Sequence, residues 1–359
     1  MATPRDITQR VFVGNVPLGG GAALPLQSML TTSTQDVEGC LDQIASLATA
    51  GCNIVRLAVE SSKDIEPFAT LCAESALPVV ADIHFDYRLA VKAAACGAAK
   101  LRINPGNIGS NDRVDAVIDA AGEAGIPIRI GVNSGSLEEA LAGDISLSLA
   151  NKMVRSATQF VEHFEARGFR DIVLSAKASD VPTTIEVYQE LSAALPHVPL
   201  HLGVTEAGTA WQGSIRSAVG IGTLLSSGIG DTLRVSLTAD PLEEIRVAKV
   251  ILSSLDLGSV AAPQLISCPT CSRCKVDLFA IAAEIEARLA QIEAPLKVAV
   301  MGCVVNGPGE AADADLGVAC GKGTGAIFAK GKVLYTVKEL EIVDALFKEL
   351  DVLLDEKHD

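Results

Sequence analysis

One short unit recurs along most of this chain: an apolar run of strand length, then a turn, then an amphipathic stretch of helix length. Near-continuous apolar runs are typical of strands that are covered on both faces, which indicates a parallel sheet. Eight such units within about 230 residues match a closed (β/α)₈ barrel, so the predicted fold class is α/β. The second interpretation, an open doubly wound sheet, is weakened because no GxGxxG follows the first strand. The predicted strands are residues 24–28, 53–59, 78–85, 99–104, 127–132, 171–175, 198–205 and 231–237.

The sequence also predicts helices and a second domain. Helical periodicity marks residues 37–50, 87–96, 112–124, 149–166 and 241–254, and residues 11–16 with the glycines that follow predict a small hairpin before the barrel. Residues 258–263 form a loop that is a plausible hinge. We therefore predict a TIM-barrel domain at 1–257 and a smaller α+β domain at 264–359, with strands at 297–305 and 332–337 and a final helix from residue 339. The glycine-rich segment 317–323 is interpreted as a hairpin turn and not as a phosphate-binding loop.

Charge and hydropathy exclude two classes of function. The net charge of −15 argues against nucleic-acid binding, since phosphate contacts need a basic face. The mean hydropathy is +0.35, but no run of about 18 uncharged apolar residues occurs, so no membrane span is expected. The first ten residues are polar and lack the apolar core of a signal peptide, which favours a cytoplasmic protein.

Charged and polar residues collect where the predicted strands end. In a (β/α)₈ barrel these ends meet at one mouth, where the active site lies. Four arginines and a lysine at one mouth predict an anionic ligand such as a diphosphate, because guanidinium groups bind phosphate oxygens in pairs. The alternative is that Asp82, Glu206 and Asp231 pair with these cations and nothing else binds. The strand-end residues are Ser28, Arg56, Asp82, His84, Arg102, Asn104, Arg129, Asn133, Ser175, Lys177, Thr205, Glu206, Arg234 and Ser236.

The nine cysteines fall into two groups. Cys40, Cys52, Cys72 and Cys96 are isolated and are interpreted as small buried apolar residues. The second group begins with a C-x₂-C-x₂-C run and lies in the smaller domain. That spacing favours an iron–sulfur cluster over a structural zinc or unligated thiols, because a second C-x₂-C is lacking. The group comprises Cys268, Cys271, Cys274, Cys303 and Cys320, and the spacing leaves the fourth ligand open among Cys274, Cys320 and Glu310.

Motifs along nearly the whole chain resemble those of the bacterial 4-hydroxy-3-methylbut-2-en-1-yl diphosphate synthases of the methylerythritol phosphate isoprenoid pathway. The long interdomain insert of the plant-type members is absent. The motifs are QSM at 27–29, VADIHFDYR at 80–88, LRINPGNIG at 101–109, IRIGVN at 128–133, HLGVTEAG at 201–208, GIGDT at 228–232, SCPTC at 267–271 and MGCVVNGPGE at 301–310.

The resemblance implies a fold, a cofactor and a reaction. It implies a barrel followed by a reductase-like α+β domain with a [4Fe–4S] cluster held by Cys268, Cys271, Cys303 and Glu310. Cys274 and Cys320 stand where the family usually has other residues, so their roles stay open. The implied reaction is the two-electron reductive ring opening of 2-C-methyl-D-erythritol 2,4-cyclodiphosphate, with loss of water. Electrons would come from reduced flavodoxin or ferredoxin, and in the implied homodimer the cluster of one chain faces the barrel of the other.

Residue roles are implied by position in the same motifs. Glu206 is the candidate acid, or alternatively the counter-ion that orders the arginines. The implied substrate-binding residues are Arg56, His84, Arg102, Arg129, Asn133, Lys177, Arg234, Ser236 and Asn306. Two hypotheses of other classes compete with the reductase: a phosphate-binding TIM-barrel lyase or aldolase with a structural zinc domain, and a non-catalytic anion-binding protein.

Overall fold

The chain divides into two units, residues 1–257 and 258–359. The computed structural model describes residues 2–135, 137–258, 263–292, 294–303, 311 and 313–356. The loop at 259–262 and the segment 304–310 lie outside these ranges. In the first unit, β1 (Val11–Val13) and β2 (Val16–Leu18) form the antiparallel hairpin that the sequence predicts.

Eight parallel strands of the first unit, counted over the described residues, form a closed barrel. Six strands make one continuous parallel sheet, and the last two pair with each other. A bridge between Leu174 and Leu200 joins the two groups, and a bridge between Leu26 and Leu233 closes the ring. The strands are β3 (Gln27–Met29), β4 (Ile54–Ala58), β5 (Val79–Ile83), β6 (Lys100–Ile103), β7 (Ile128–Asn133), β8 (Ile172–Lys177), β9 (His201–Leu202) and β10 (Thr232–Leu233). The predicted TIM-barrel architecture is confirmed.

Helices fill the connections between these strands. All five predicted helices are present, and α7 has the predicted bounds. The helices of the first unit are α1 (Val37–Thr49), α2 (Ile65–Glu74), α3 (Tyr87–Ala95), α4 (Pro105–Ile108), α5 (Asn111–Ala124), α6 (Glu139–Ala142), α7 (Leu149–Ala166), α8 (Val181–Ala194), α9 (Ala210–Ser226) and α10 (Pro241–Ser253). No helix in the described part of the chain is long and apolar enough to cross a membrane.

Each barrel strand has an apolar outer face and a mixed inner face. On β6, Leu101 and Ile103 are fully buried in the core that includes the surrounding helices. Because side chains alternate along a strand, Lys100 and Arg102 of β6 face the inside of the barrel. This alternation decides which charged residues share the interior.

The second unit is a five-stranded sheet with helices. Its strands β11 (Gln264–Ser267), β12 (Lys297–Met301) and β13 (Leu316–Cys320) are parallel, and β14 (Thr324–Ala329) and β15 (Lys332–Lys338) continue the sheet antiparallel. The segment 317–323 is part of a β-hairpin, as predicted, but only residues 321–323 form the turn, because 317–320 belong to β13. Helices α11 (Leu278–Leu289) and α12 (Ile342–Glu356) pack apolar residues onto the sheet.

Candidate active site in the barrel and cysteine site in the second unit

Four cations predicted at the strand ends face the inside of the barrel and are almost completely buried. Arg56, Arg102, Arg129 and Lys177 are 8%, 7%, 1% and 9% exposed. They come from β4, β6, β7 and β8, so no local stretch of chain brings them together. The barrel places them in one cluster, as the sequence predicts for its mouth.

Asp82 on β5 is the counter-ion at the centre of this cluster. Its carboxylate lies 2.9 Å from Arg102 Nη1 and 3.7 Å from Arg56 Nε. His84 Nε2 lies 3.5 Å from Asp82 Oδ2 and 3.0 Å from Arg102 Nη1. Burial alone would raise the pKa of Asp82, but Arg56, a hydrogen bond from His84 and Arg102 together hold that pKa well below its usual range.

Arg234 after β10 has a separate carboxylate partner, Glu244 on α10. The pair is bidentate, with Arg234 Nε 3.1 Å from Oε2 and Nη2 3.0 Å from Oε1. Glu244 also accepts the Ser28 hydroxyl at 3.4 Å and the Leu237 amide at 3.0 Å. The sequence interpretation missed Glu244. The sequence signal for Glu244 is its position four residues before Ala248, which places this acidic residue on the buried face of α10.

The remaining cations exceed the carboxylates available to them. Arg129 Nε and Nη1 have no hydrogen-bond partner within the described structure, and neither do Arg56 Nε and Arg102 Nε. Burial, together with Arg56 and Arg102 nearby, lowers the pKa of Arg129 well below its usual range. Burial and Arg129 likewise lower the pKa of Lys177. Because buried cations without partners are costly, this cluster has the charge and the free donors to bind an anion.

Two glycines leave room for these cations. A Cβ atom added at Gly131 would lie 2.9 Å from Arg102 Nε, and one added at Gly203 would lie 2.7 Å from Lys177 Nζ. The absence of a side chain at both positions therefore lets a charged group cross the barrel interior.

The other predicted mouth residues differ in exposure. Asn133, which ends β7, and Ser236, which follows β10, are half-buried. Glu206 is exposed in the loop after β9 and has a φ of 52°, a left-handed conformation that is uncommon for residues other than glycine. Such conformations often mark functional loops. Asn306 lies outside the described residues.

The alternative role for Asp231, as a counter-ion of the mouth, is wrong. Asp231 precedes β10 at the opposite end of the strand, where its carboxylate accepts the Thr8 hydroxyl and the Leu200 amide, each at 2.8 Å. Burial raises its pKa to about 6, although these hydrogen bonds oppose the shift. Asp231 thus ties the N-terminal segment to the barrel.

The barrel cysteines are only partly as predicted. Cys40 and Cys52 are buried, and burial raises the pKa of each thiol to about 11. Cys72, in the last turn of α2, and Cys96, the C-cap of α3, are only half-buried.

In the second unit, three neighbouring parallel strands end near cysteines. Cys268 follows β11, Cys303 follows β12 and Cys320 ends β13. The ends of adjacent parallel strands lie at one edge of a sheet. The Gly302 amide donates to Cys268 Sγ at 3.1 Å, and a Cβ atom added at Gly302 would lie 2.9 Å from Cys274 Sγ. The structure therefore brings Cys274 to the same edge.

The donor chemistry of this edge suits a thiolate-ligated metal centre. An N–H···S bond, as at Cys268, stabilises a sulfur that carries negative charge. The pKa of Cys271 is lowered by the backbone amide and side chain of Arg273, which favours the thiolate form. Within the described residues, no three Cys, His, Asp or Glu side chains are yet arranged to hold a metal ion. Glu310, the fourth ligand implied by the resemblance, lies outside those residues.

Comparison with protein families identifies both units. The model described as "GcpE TIM-barrel domain" matches residues 8–249, and the "GcpE protein C-terminal domain" matches residues 264–352. This chain belongs to the GcpE family. The two matches together span the barrel with its cationic cluster and the unit with the cysteine edge.

Other GcpE proteins are similar over almost their full length. A protein of Listeria monocytogenes is 51% identical over 352 residues, which is 98% of this chain and 95% of the relative. A protein of Geobacter sulfurreducens is 50% identical over 351 residues, which is 98% of this chain and 99% of the relative. Both are named "4-hydroxy-3-methylbut-2-en-1-yl diphosphate synthase (flavodoxin)".

Solved structures share the barrel fold of the GcpE chain. A dihydropteroate synthase of Yersinia pestis in a sulfonamide complex has a TM-score of 0.51 and 13% identity, over 69% of this chain and 100% of that one. Similarity at this level of identity shows the fold of the first unit alone.

Proposed function

We propose that this protein catalyses the reductive ring opening of 2-C-methyl-D-erythritol 2,4-cyclodiphosphate to 4-hydroxy-3-methylbut-2-enyl diphosphate. Two electrons and two protons enter, the ring C–O bond breaks, and one water leaves. The observation that carries the proposal is the excess of buried cations over carboxylates inside the barrel, in a chain that also has a cysteine edge. The names of relatives about 50% identical over nearly the whole chain agree with it. Those names do not favour the lyase with a structural zinc.

The cationic cluster binds the two phosphates in this proposal. Arg129 Nε and Nη1 and Arg102 Nε make no hydrogen bond to a described residue, and neither does Arg56 Nε, which lies 3.7 Å from Asp82. Asp82 holds the Arg102 fork in place, and Glu244 does the same for Arg234, so the donors are oriented before the ligand arrives. His84, Asn133, Lys177 and Ser236 complete the proposed binding set.

Cys268, Cys271, Cys303 and Glu310 are the proposed ligands of a [4Fe–4S] cluster. The cluster would supply the two electrons one at a time. The Gly302 amide donates to Cys268 Sγ, and Cys303 is buried just after β12, which shields its sulfur from water. A carboxylate as the fourth ligand is harder and more labile than a thiolate, which leaves one iron accessible to substrate. Asn306, close to Cys303 in sequence, is a further proposed substrate contact.

Glu206 is the proposed acid that protonates the oxygen leaving as water. It is exposed, and no ion pair joins it to an arginine among the described residues, which supports the role of acid over that of counter-ion. Its left-handed backbone fixes the direction in which the loop presents the side chain.

The partners follow from the same proposal. Flavodoxin is the proposed electron donor, as in the names of the relatives, with ferredoxin as the second candidate. The homodimer, in which each cluster serves the partner's barrel, and the cytoplasmic location stay predictions. The reductase-like character of the second unit belongs to the proposal as well.

Anaerobic turnover tests this function. Purified anaerobically, the protein should be brown, contain about four irons, and convert the cyclodiphosphate when dithionite supplies electrons. The Glu206→Gln variant should keep its iron and its affinity for the cyclodiphosphate but lose at least about 100-fold in kcat. A colourless protein with one zinc and no consumption of the cyclodiphosphate would refute the proposal. Unchanged kcat in the variant would assign Glu206 as a counter-ion.

A further inference from the structure

A polar layer lies inside the barrel at the amino-terminal ends of its strands. Gln27, Lys100 and His201 are the first residues of β3, β6 and β9, and each is at most 1% exposed. Barrel interiors are usually filled with branched apolar side chains. Here such residues occur in the cluster beneath the β1–β2 hairpin, where Ile54 and Val80 pack. Fully buried polar groups in this position need a physical explanation.

These groups have no partners. Lys100 Nζ, both ring nitrogens of His201 and the side-chain amide of Gln27 lack a hydrogen bond within the described part of the chain. An unpaired ammonium group in a dry interior is strongly destabilising, and the usual response is loss of its proton. Burial, followed by the charges of Arg129 and Arg56, lowers the pKa of Lys100 well below its usual range.

The charged groups around Lys100 leave it without compensation. Arg56 on β4 and Arg129 on β7 are the cations that act on Lys100. The buried carboxylate of Asp82 on β5 is already paired with Arg102 and Arg56.

The remaining neighbours are neutral. Burial and the cations Arg129 and Lys177 lower the pKa of His201 on β9 well below its usual range, so its ring carries no charge near neutral pH. Tyr188 on α8 donates its hydroxyl to the His201 carbonyl at 2.5 Å, and burial raises its pKa above the usual value. The arginines stay protonated at all working pH values. Lys100 and Lys177 are therefore the lysines of this interior whose charge is free to change, and Lys100 lies at the amino-terminal end of its strand, away from the mouth.

We propose that Lys100 is neutral in the empty barrel and takes up a proton when a diphosphate binds at the mouth above it. The inference rests on the proposed function. Burial disfavours the ammonium form of Lys100 most, and Arg129 and Arg56 disfavour it further. The negative charge of the ligand offsets the repulsion from these arginines and attracts the ammonium form, so a proton is taken up. Ligand binding and protonation are then linked: the bound state holds more protons than the free state, and affinity falls as pH rises. Lys100 is a positioning residue in this scheme because it acts through the arginines.

Calorimetry of the full-length, cluster-loaded protein in its oxidised form tests the linkage, since no turnover occurs without electrons. The cyclodiphosphate is titrated in at pH 8 in Hepes and in Tris, whose ionisation enthalpies differ. This ligand carries one strongly acidic oxygen on each phosphorus, so it does not titrate near this pH. We expect uptake of a large fraction of a proton per site and, at full linkage, a Kd that rises about tenfold per pH unit.

Three variants locate the proton. Lys100→Met should bind without this uptake and with a weaker, pH-independent affinity. The arginine in Lys100→Arg stays charged, so this variant should also bind the cyclodiphosphate without proton uptake but keep its affinity at high pH. It tests the proton linkage on its own if the methionine variant does not fold. Lys92→Met removes an exposed lysine on α3 and should behave as the unaltered protein.

The experiment distinguishes failure of this inference from failure of the proposed function. Binding of the cyclodiphosphate with no proton uptake overturns the inference and leaves the proposed function intact. Uptake that persists in both Lys100 variants assigns the proton to another group and also overturns the inference. No binding of the cyclodiphosphate at any pH overturns the proposed function itself.

Discussion

The cationic cluster of the barrel and the cysteine edge of the second unit are two sites built in different ways. Arg102 and Arg234 are held by carboxylates on rigid elements, with contacts of 2.9 to 3.1 Å. At the cysteine edge the contacts to sulfur come from donors close to the strand ends: the Gly302 amide donates to Cys268 Sγ at 3.1 Å, and the amide and side chain of Arg273 act on Cys271. The first site is thus organised by the fold before any ligand binds.

The difference follows from the repulsion between like groups that each site has to overcome. Buried cations repel each other, so they persist only where a sheet and its helices fix them. Thiols at strand ends repel weakly until they lose their protons, and a metal ion then draws them together. We therefore expect the barrel to be stable without its ligand, whereas the cysteine edge depends on its metal. Three changes test this contrast.

The largest effect is expected from Cys268→Ala. Loss of a direct ligand should remove the cluster and lower turnover by more than the roughly 100-fold that changes in outer-shell partners cost. Iron content, absorbance near 400 nm and dithionite-driven turnover measure it. The matched control is Cys274→Ala, which removes a neighbouring thiol and should retain its iron. Affinity of the barrel for the cyclodiphosphate should not change, and a parallel loss of that affinity would show that the two sites form together.

A smaller effect, confined to the barrel, is expected from Asp82→Asn. This change leaves Arg56 and Arg102 without their shared counter-ion, and removing one partner of a buried pair costs about 3–5 kcal/mol of unfolding free energy. Urea unfolding measures the loss, and added cyclodiphosphate should restore part of it because the ligand replaces the missing charge.

The matched control for Asp82 is Asp119→Asn, which removes an exposed ion pair with Arg167 and should cost less than about 1 kcal/mol. Equal losses in the two variants would mean that the cationic cluster does not need Asp82.

The smallest effect is expected from Glu244→Gln. The glutamine keeps one acceptor but loses the charge that holds the Arg234 guanidinium group. We therefore expect a loss of about 1–3 kcal/mol in the binding free energy of the cyclodiphosphate, seen mainly as a KM raised about tenfold or more. Iron content should not change. Glu243→Gln, one position earlier on α10, is the control, because Glu243 forms a solvent-accessible ion pair with Arg246. If kcat falls while KM is constant, Glu244 does more than orient Arg234.

Much of the fold was predictable from local patterns. Unbroken apolar runs separated by helical periods specify a parallel barrel, and α7 begins at the predicted residue because the Ser148 side chain caps its first turn. The mouth residues were predictable as well, because the carboxyl ends of all strands of a parallel barrel lie on the same side. Lys100 carries a signal of this kind as well, since it stands two residues before Arg102 on one strand and so shares its face.

The sequence by itself determined the architecture, the residue types at the mouth and the family of this protein. Only the tertiary structure decided which charges compensate each other. It paired Asp82 with Arg102 and Arg56, assigned Glu244 to Arg234 and placed Asp231 at the opposite end of the barrel. It also buried the side chains of Lys100 and His201 without a hydrogen bond to any described residue. The physical reason is the distance along the sequence between the residues that interact. Strand and helix patterns are set by neighbours along the chain, whereas ion pairs join residues that lie far apart in sequence and meet only when the barrel closes.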